Sequence, residues 1–203
     1  MTAGHDVSAE LAAALADLDR RAPEHMPQPD LERISELVKL LDHPELAYPS
    51  VQITGTNGKT TTARLVTALA CAHGLTTGAF TSPHVVSVTD RLMVCGEPIE
   101  DEEFAQEYER LRPYLELVDA RVGMVTYFEA LTGLAFLGFA DRPVGLGVFD
   151  LQLDLLPDLR RRLLDEGRIG QLLACLPGIR HGRREFALDA RSHRVGVERV
   201  AGV

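Results

Sequence analysis

At 203 residues, with 45% hydrophobic and 25% charged positions, the chain can bury one domain-sized core, and its composition excludes the disordered and fibrous classes. A net charge of -9 argues against a general nucleic-acid binder, and no apolar run approaches the ~20 residues of a membrane span. Residues 1–20 carry acids and no basic n-region, which excludes a secretory signal. Cys71, Cys95 and Cys175, odd in number and without metal-type spacing, read as reduced thiols of a cytoplasmic protein.

Residues 1–29 read as an N-terminal arm: a short Ala/Leu/Asp helix, then irregular chain at Pro23, Pro27 and Pro29. Asp30 is placed to cap a helix over 31–42, whose Leu31, Ile34, Leu37, Val38 and Leu41 share one face. His43-Pro44 ends it. A short apolar strand, Val51-Gln52-Ile53, then runs into Thr54-Gly55-Thr56-Asn57-Gly58-Lys59-Thr60, a tight glycine turn opening a helix that Gly74 closes.

That turn is a phosphate cradle. Gly55 and Gly58 allow backbone N–H groups to turn inward around an anion, with Thr56 and Asn57 between them. The helix end adds its exposed donors and partial positive charge. Lys59 has the reach for the outer phosphates of ATP, and the Thr60 hydroxyl for a Mg²⁺. The spacing Gly-x-x-Gly-Lys-Thr is two residues shorter than the full phosphate-loop signature.

Residues 76–80 form a second strand, with Thr81-Ser82-Pro83-His84 at its carboxyl end. Strand, helix and strand in succession make a βαβ unit and hence a parallel sheet, whose ligands sit beyond the carboxyl ends of the strands. Residues 91–94 form a short β segment turned by Cys95-Gly96-Glu97-Pro98. An acidic amphipathic helix follows over 101–118, which Pro113 should kink or shorten. Thr126-Tyr127-Phe128-Glu129 has capping-box form and launches an apolar helix to about 139. Residues 144–149 read as a third parallel strand, closed by Asp150.

The texture then changes. Residues 1–150 carry 11 Lys/Arg against 23 Asp/Glu, and residues 151–203 carry 10 against 7. A helix over 151–164, interrupted at Pro157, gives way to Gly- and Arg-dense chain without βα alternation. This divergent Arg-rich tail is either the product of a shifted reading frame, which the charge flip favours, or a genuine terminal region.

Four ordered motifs carry a resemblance. They are Ile53-Thr54-Gly55-Thr56-Asn57-Gly58-Lys59-Thr60, Thr81-Ser82-Pro83-His84, Asp90-Arg91-Leu92 with Gly96-Glu97-Pro98-Ile99, and Thr126-Tyr127-Phe128-Glu129-Ala130-Leu131-Thr132. Over residues 30–150 the chain resembles the N-terminal ATP-binding domain of the folylpolyglutamate synthase/dihydrofolate synthase family of Mur-ligase-type amide ligases. The resemblance implies an α/β fold, a parallel-sheet phosphate-loop three-layer sandwich, incomplete, followed by an irregular or helical C-terminal segment. It implies ATP-dependent joining of glutamate to folate or dihydropteroate through an acyl phosphate, in the cytoplasm, by a monomer that binds neither nucleic acid nor membrane.

By motif position the resemblance makes Lys59 catalytic and residues 55–60 the triphosphate site. Thr60, Ser82 and Asp150 become the Mg²⁺ set, and Ser82, His84, Thr126 and Phe128 the substrate side. Asp150 stands where the family has a glutamate, and the glycine-rich turn expected after it is replaced by Leu151-Gln152-Leu153-Asp154. On those grounds nucleotide binding is expected of the chain and a complete ligation cycle is not. A non-catalytic nucleotide-binding module and a small phosphate-loop kinase or NTPase are the competing readings.

Overall fold

The computed structural model describes residues 7–23, 31–53, 57–84, 86–150, 186–188 and 195–197. Residues 1–169 and 170–203 form two compact units. In the first, five helices, α1 (Val7–Asp19), α2 (Leu31–Leu40), α3 (Lys59–Ala72), α4 (Asp101–Arg121) and α5 (Tyr127–Ala140), accompany five strands. The strands are β1 (Ser50–Ile53), β2 (Thr77–Phe80), β3 (Leu92–Val94), β4 (Glu97–Pro98) and β5 (Leu146–Asp150), in the sheet order β1-β5-β2-β3-β4. β5 lies between β1 and β2 and pairs with both in parallel, while β3 and β4 extend the sheet as an antiparallel hairpin. In the second unit β6 (Phe186–Leu188) pairs antiparallel with β7 (Val195–Val197), a strand pair where irregular or helical chain is expected. The helix expected over 151–164 lies outside the described residues.

Alternation along β2 divides the first unit into layers. Phe80 points to the α5 side, where Phe80, Phe128, Phe136, Phe139 and Phe149 form one aromatic cluster with ring centroids as close as 5.0 Å. Ala79 points the other way, toward Thr67 and Ala68 of α3. The apolar sequence of α5 is thus explained: it is buried on almost every side, among the sheet, α2 and α4. Full burial of each large aromatic or aliphatic side chain contributes about 1.5–3 kcal/mol relative to exposure. The N-terminal helix α1 also belongs to this core, with Ala14 and Leu18 buried. Among the described residues no helix is long and apolar enough to cross a membrane.

Three expectations change. The helix of residues 31–42 ends at Leu40, because Asp42 and His43 turn into left-handed backbone with φ of 61° and 58°. Pro113 does not end α4, which runs 21 residues; Leu111 and Leu115 on either side of it are fully buried, and that packing outweighs the lost hydrogen bond. The reading of the cysteines as reduced thiols is overturned for two of them: Cys71 and Cys95 form a disulfide. Antiparallel pairing sets Gly78 beside Val94, and the Cys95 amide donates to the Thr77 carbonyl at 2.8 Å. The β3–β4 turn is thereby brought against the last turn of α3, with the two Cα atoms 5.7 Å apart. A separation of 24 residues carries no sequence signal for that. Cys175 lies outside the described residues.

Candidate functional site

The carboxyl ends of the three parallel strands define the site. Ile53 of β1 sits opposite Asp150 of β5, and Phe80 of β2 opposite Phe149, so the carboxyl ends of β1, β5 and β2 lie side by side. The segment leaving β1 enters α3 through Gly58, which has φ of 75° and open space where a Cβ would stand. Backbone conformation, not crowding, calls for glycine there. The first amides of α3 have no intrahelical acceptor, so the helix presents donors and partial positive charge at that end. Asn57 and Gly58 are exposed and Lys59 and Thr60 half-buried. Gly55 and Thr56 lie outside the described residues.

Behind this helix end stands the oxygen cluster. The Thr60 hydroxyl donates to Asp150 Oδ2 at 2.6 Å and lies 3.5 Å from the Ser82 carbonyl oxygen. Asp150 is fully buried, and its Oδ1 has no hydrogen-bond partner. A buried carboxylate oxygen left unpaired is costly in isolation and is the mark of a position awaiting a cation or donor. Hydroxyl, carboxylate and carbonyl oxygens are hard ligands suited to Mg²⁺, which takes few protein ligands and fills the rest of its shell with phosphate and water. The donor set therefore fits Mg²⁺. No group of three His, Cys, Asp or Glu residues suited to a metal occurs among the described residues.

The remaining expected site residues lie around the loop after β2 and the start of α5. Ser82 is nearly buried and joined to Pro83 by a cis peptide bond. His84 is exposed, and its Nδ1 accepts from Arg91 Nε at 3.0 Å. Thr126 caps α5, its hydroxyl accepting from the Glu129 amide at 3.2 Å. Phe128 packs its ring against Phe80 with centroids 5.8 Å apart and is 8% exposed, so most of its surface belongs to the core.

Two arginines organise these segments: Arg33, which belongs to no motif, and Arg91, which stands in the Asp90-Arg91-Leu92 motif without a site role attached to it. Arg33 of α2 makes a two-point contact with the buried Glu129, Nε and Nη2 donating to its two carboxylate oxygens at 2.9 and 3.0 Å. The same Glu129 accepts from the Thr126 amide at 2.9 Å, which ties α2 to the start of α5. Arg91, 2% exposed, places its guanidinium 5.6 Å from the centroid of the Tyr127 ring. The capping-box form was the one available signal for Glu129. Nothing in the sequence separates Arg33 from a surface arginine, and the motif that contains Arg91 does not say what its side chain meets.

No family model matches the chain. It is 42% identical over 142 residues, 66% of its length, to the dihydrofolate synthase/folylpolyglutamate synthase of Mycobacterium tuberculosis, and 36% identical over 115 residues to that of Bacillus subtilis. The aligned parts are 29% and 27% of those two proteins, so the chain spans less than a third of their length. Among solved structures, the Mycobacterium tuberculosis folylpolyglutamate synthase complexed with ADP superposes with a TM-score of 0.67 at 39% identity, over 72% of this chain and 33% of that one. A folylpolyglutamate synthase–AMPPCP–folate complex superposes with a TM-score of 0.64 at 30% identity, over 70% and 35%.

Proposed function

We propose that this chain, a homologue of the dihydrofolate synthase/folylpolyglutamate synthases over about two-thirds of its length, carries the nucleotide side of an ATP-dependent ligase that joins glutamate to folate or dihydropteroate. The observation that supports the reading best is the Thr60–Asp150–Ser82 cluster with its unpaired Asp150 Oδ1, set directly behind the N-terminus of α3. In this reading the α3 amides and Lys59 hold the triphosphate, and Thr60, Ser82 and Asp150 hold Mg²⁺. Bound there, Mg²⁺ would offset phosphate charge as the terminal phosphoryl group passes to a substrate carboxylate.

The chain's own contribution is positional. Helix amides fixed by hydrogen bonding elsewhere along α3 need no reorganisation as charge develops on the phosphates. Lys59 adds a full charge at the mouth of the cleft. Thr60, already bonded to Asp150, stands oriented before any ligand arrives. The rim formed by His84, Thr126 and Phe128 is assigned to the flat heterocycle of a pteroate-type substrate. Nucleotide binding and one side of the pteroate-type site are the parts of the activity assigned to the described residues. A cytoplasmic monomer is proposed on the likeness to these synthases alone, since the Cys71–Cys95 disulfide removes the thiol argument for that compartment.

Calorimetric titration with a non-hydrolysable ATP analogue tests the reading. Binding is expected with Mg²⁺, to weaken on chelation, and to lose its Mg²⁺ dependence in Asp150→Asn. Equal affinity with and without the metal would remove Thr60, Ser82 and Asp150 as its holders.

A further inference from the structure

We infer that Arg91 is a positioning residue for the substrate side: it fixes the tautomer in which His84 meets its ligand, with the ring proton on Nε2. The inference rests on the assignment of His84 to the pteroate-type substrate. It adds which hydrogen-bonding character that residue presents and what sets it.

An arginine Nε carries a hydrogen and no lone pair, so it can only donate. The contact at 3.0 Å between Arg91 Nε and His84 Nδ1 therefore assigns Nδ1 as acceptor. A histidine whose Nδ1 accepts holds its ring hydrogen on Nε2. The exposed edge of His84 is then a donor, matched to a carbonyl oxygen or an unprotonated ring nitrogen of the substrate heterocycle. Without Arg91 either nitrogen could carry the proton, and the edge would alternate between donor and acceptor.

Arg91 is itself held from several sides. It ends the turn Val88–Arg91, its carbonyl accepts from the Thr81 amide at 3.0 Å, and its side chain is buried. Its guanidinium also faces the Tyr127 ring at the first position of α5. The arginine thus joins the loop after β2 to the start of α5, the two segments that carry His84 and Phe128. A donor on the end of a rigid support meets a ligand with less ordering cost than one on a free loop.

Two readouts test this. The long-range ¹⁵N–¹H spectrum of the imidazoles at mildly alkaline pH, with His84 assigned from its loss in His84→Gln, is expected to show the Nε2–H tautomer, and Arg91→Lys is expected to blur it toward a mixture. Dihydropteroate affinity is expected to fall about three- to tenfold in His84→Leu, which has no donor, and to be retained in His84→Gln, which supplies one. ATP affinity is expected to stay level in both. A wild-type ring protonated at Nδ1 would overturn the role of Arg91 even with dihydropteroate bound normally. Equal losses in His84→Gln and His84→Leu would overturn the donor assignment. Failure of the wild type to bind dihydropteroate, with ATP binding intact, would instead overturn the substrate assignment beneath it.

Discussion

At the scale of single residues, charge and backbone geometry divide the work at the N-terminal end of α3. Lys59→Ala removes the full positive charge and is expected to weaken ATP binding about ten- to a hundredfold, the worth of one charge-assisted contact of roughly 1.5–3 kcal/mol. Unchanged affinity by calorimetry would count against any role for Lys59 at the phosphates. Glycine substitutions separate backbone strain from crowding. At Gly58 a Cβ meets nothing within 4 Å, yet φ is 75°, so Gly58→Ala is expected to cost about 1–2 kcal/mol through conformation alone, and Gly58→Asn less. At Gly78 the added atom falls 2.7 Å from the Phe139 ring, so Gly78→Ala is expected to cost about 1–3 kcal/mol by forcing the ring aside. Urea unfolding of the three variants measures both.

At the scale of elements, buried charge links helices that hydrophobic packing alone would let slide. Burial would raise the Asp17 carboxyl, but the Tyr108 hydroxyl and the Arg20 and Arg21 guanidiniums outweigh it and hold the group below its ordinary 3.8. Arg21 also donates to Asp119 at 3.2 Å, so this cluster fastens α1 to α4. A carboxyl depressed in the folded state stabilises fully above its unfolded value, and that contribution drains away as pH falls through the folded one. Wild-type urea midpoints are therefore expected to drop on acidification below about pH 4, and Asp17→Asn to flatten that drop. The Arg33–Glu129 contact is a second such tie. Glu129→Gln removes the negative charge facing a buried guanidinium and puts an amide NH₂ where one carboxylate oxygen accepted, and is expected to cost about 3–5 kcal/mol, whereas a double replacement with Arg33→Met is expected to cost less than the two single changes together.

The elements themselves were largely legible: period and punctuation mark β1, α3, β2, α5 and β5. The glycine turn and the Asp closing β5 were readable because both obey local rules. Arg33 was not, and Arg91 was marked only as part of a motif, without a partner. A buried arginine differs from an exposed one only in what surrounds it, and those surroundings come from segments as distant in sequence as Arg33 and Glu129. Phe128 shows the same limit from the other side, since an aromatic at a helix start reads equally as a stacking face or as core, and its contact with Phe80 is decided by the register of β2.

At the scale of the whole molecule, the Cys71–Cys95 bond is the one covalent tie across the fold among the described residues. Closing a loop of this length is worth about 3 kcal/mol in the chain-entropy account, so Cys71→Ser is expected to lower the thermal midpoint by several degrees, and added dithiol to do nothing further to that variant. The ring it closes encloses β2, the Ser82–His84 loop, the turn ending in Arg91 and β3. Within it, Val86 is 88% exposed, in the stretch between His84 and Arg91. A protease that nicks the chain there cuts the polypeptide in two without releasing either piece. The digest would migrate as a single intact species until a reductant is added and then fall into two fragments, with Ser82 and His84 on one and the arginine that faces His84 on the other.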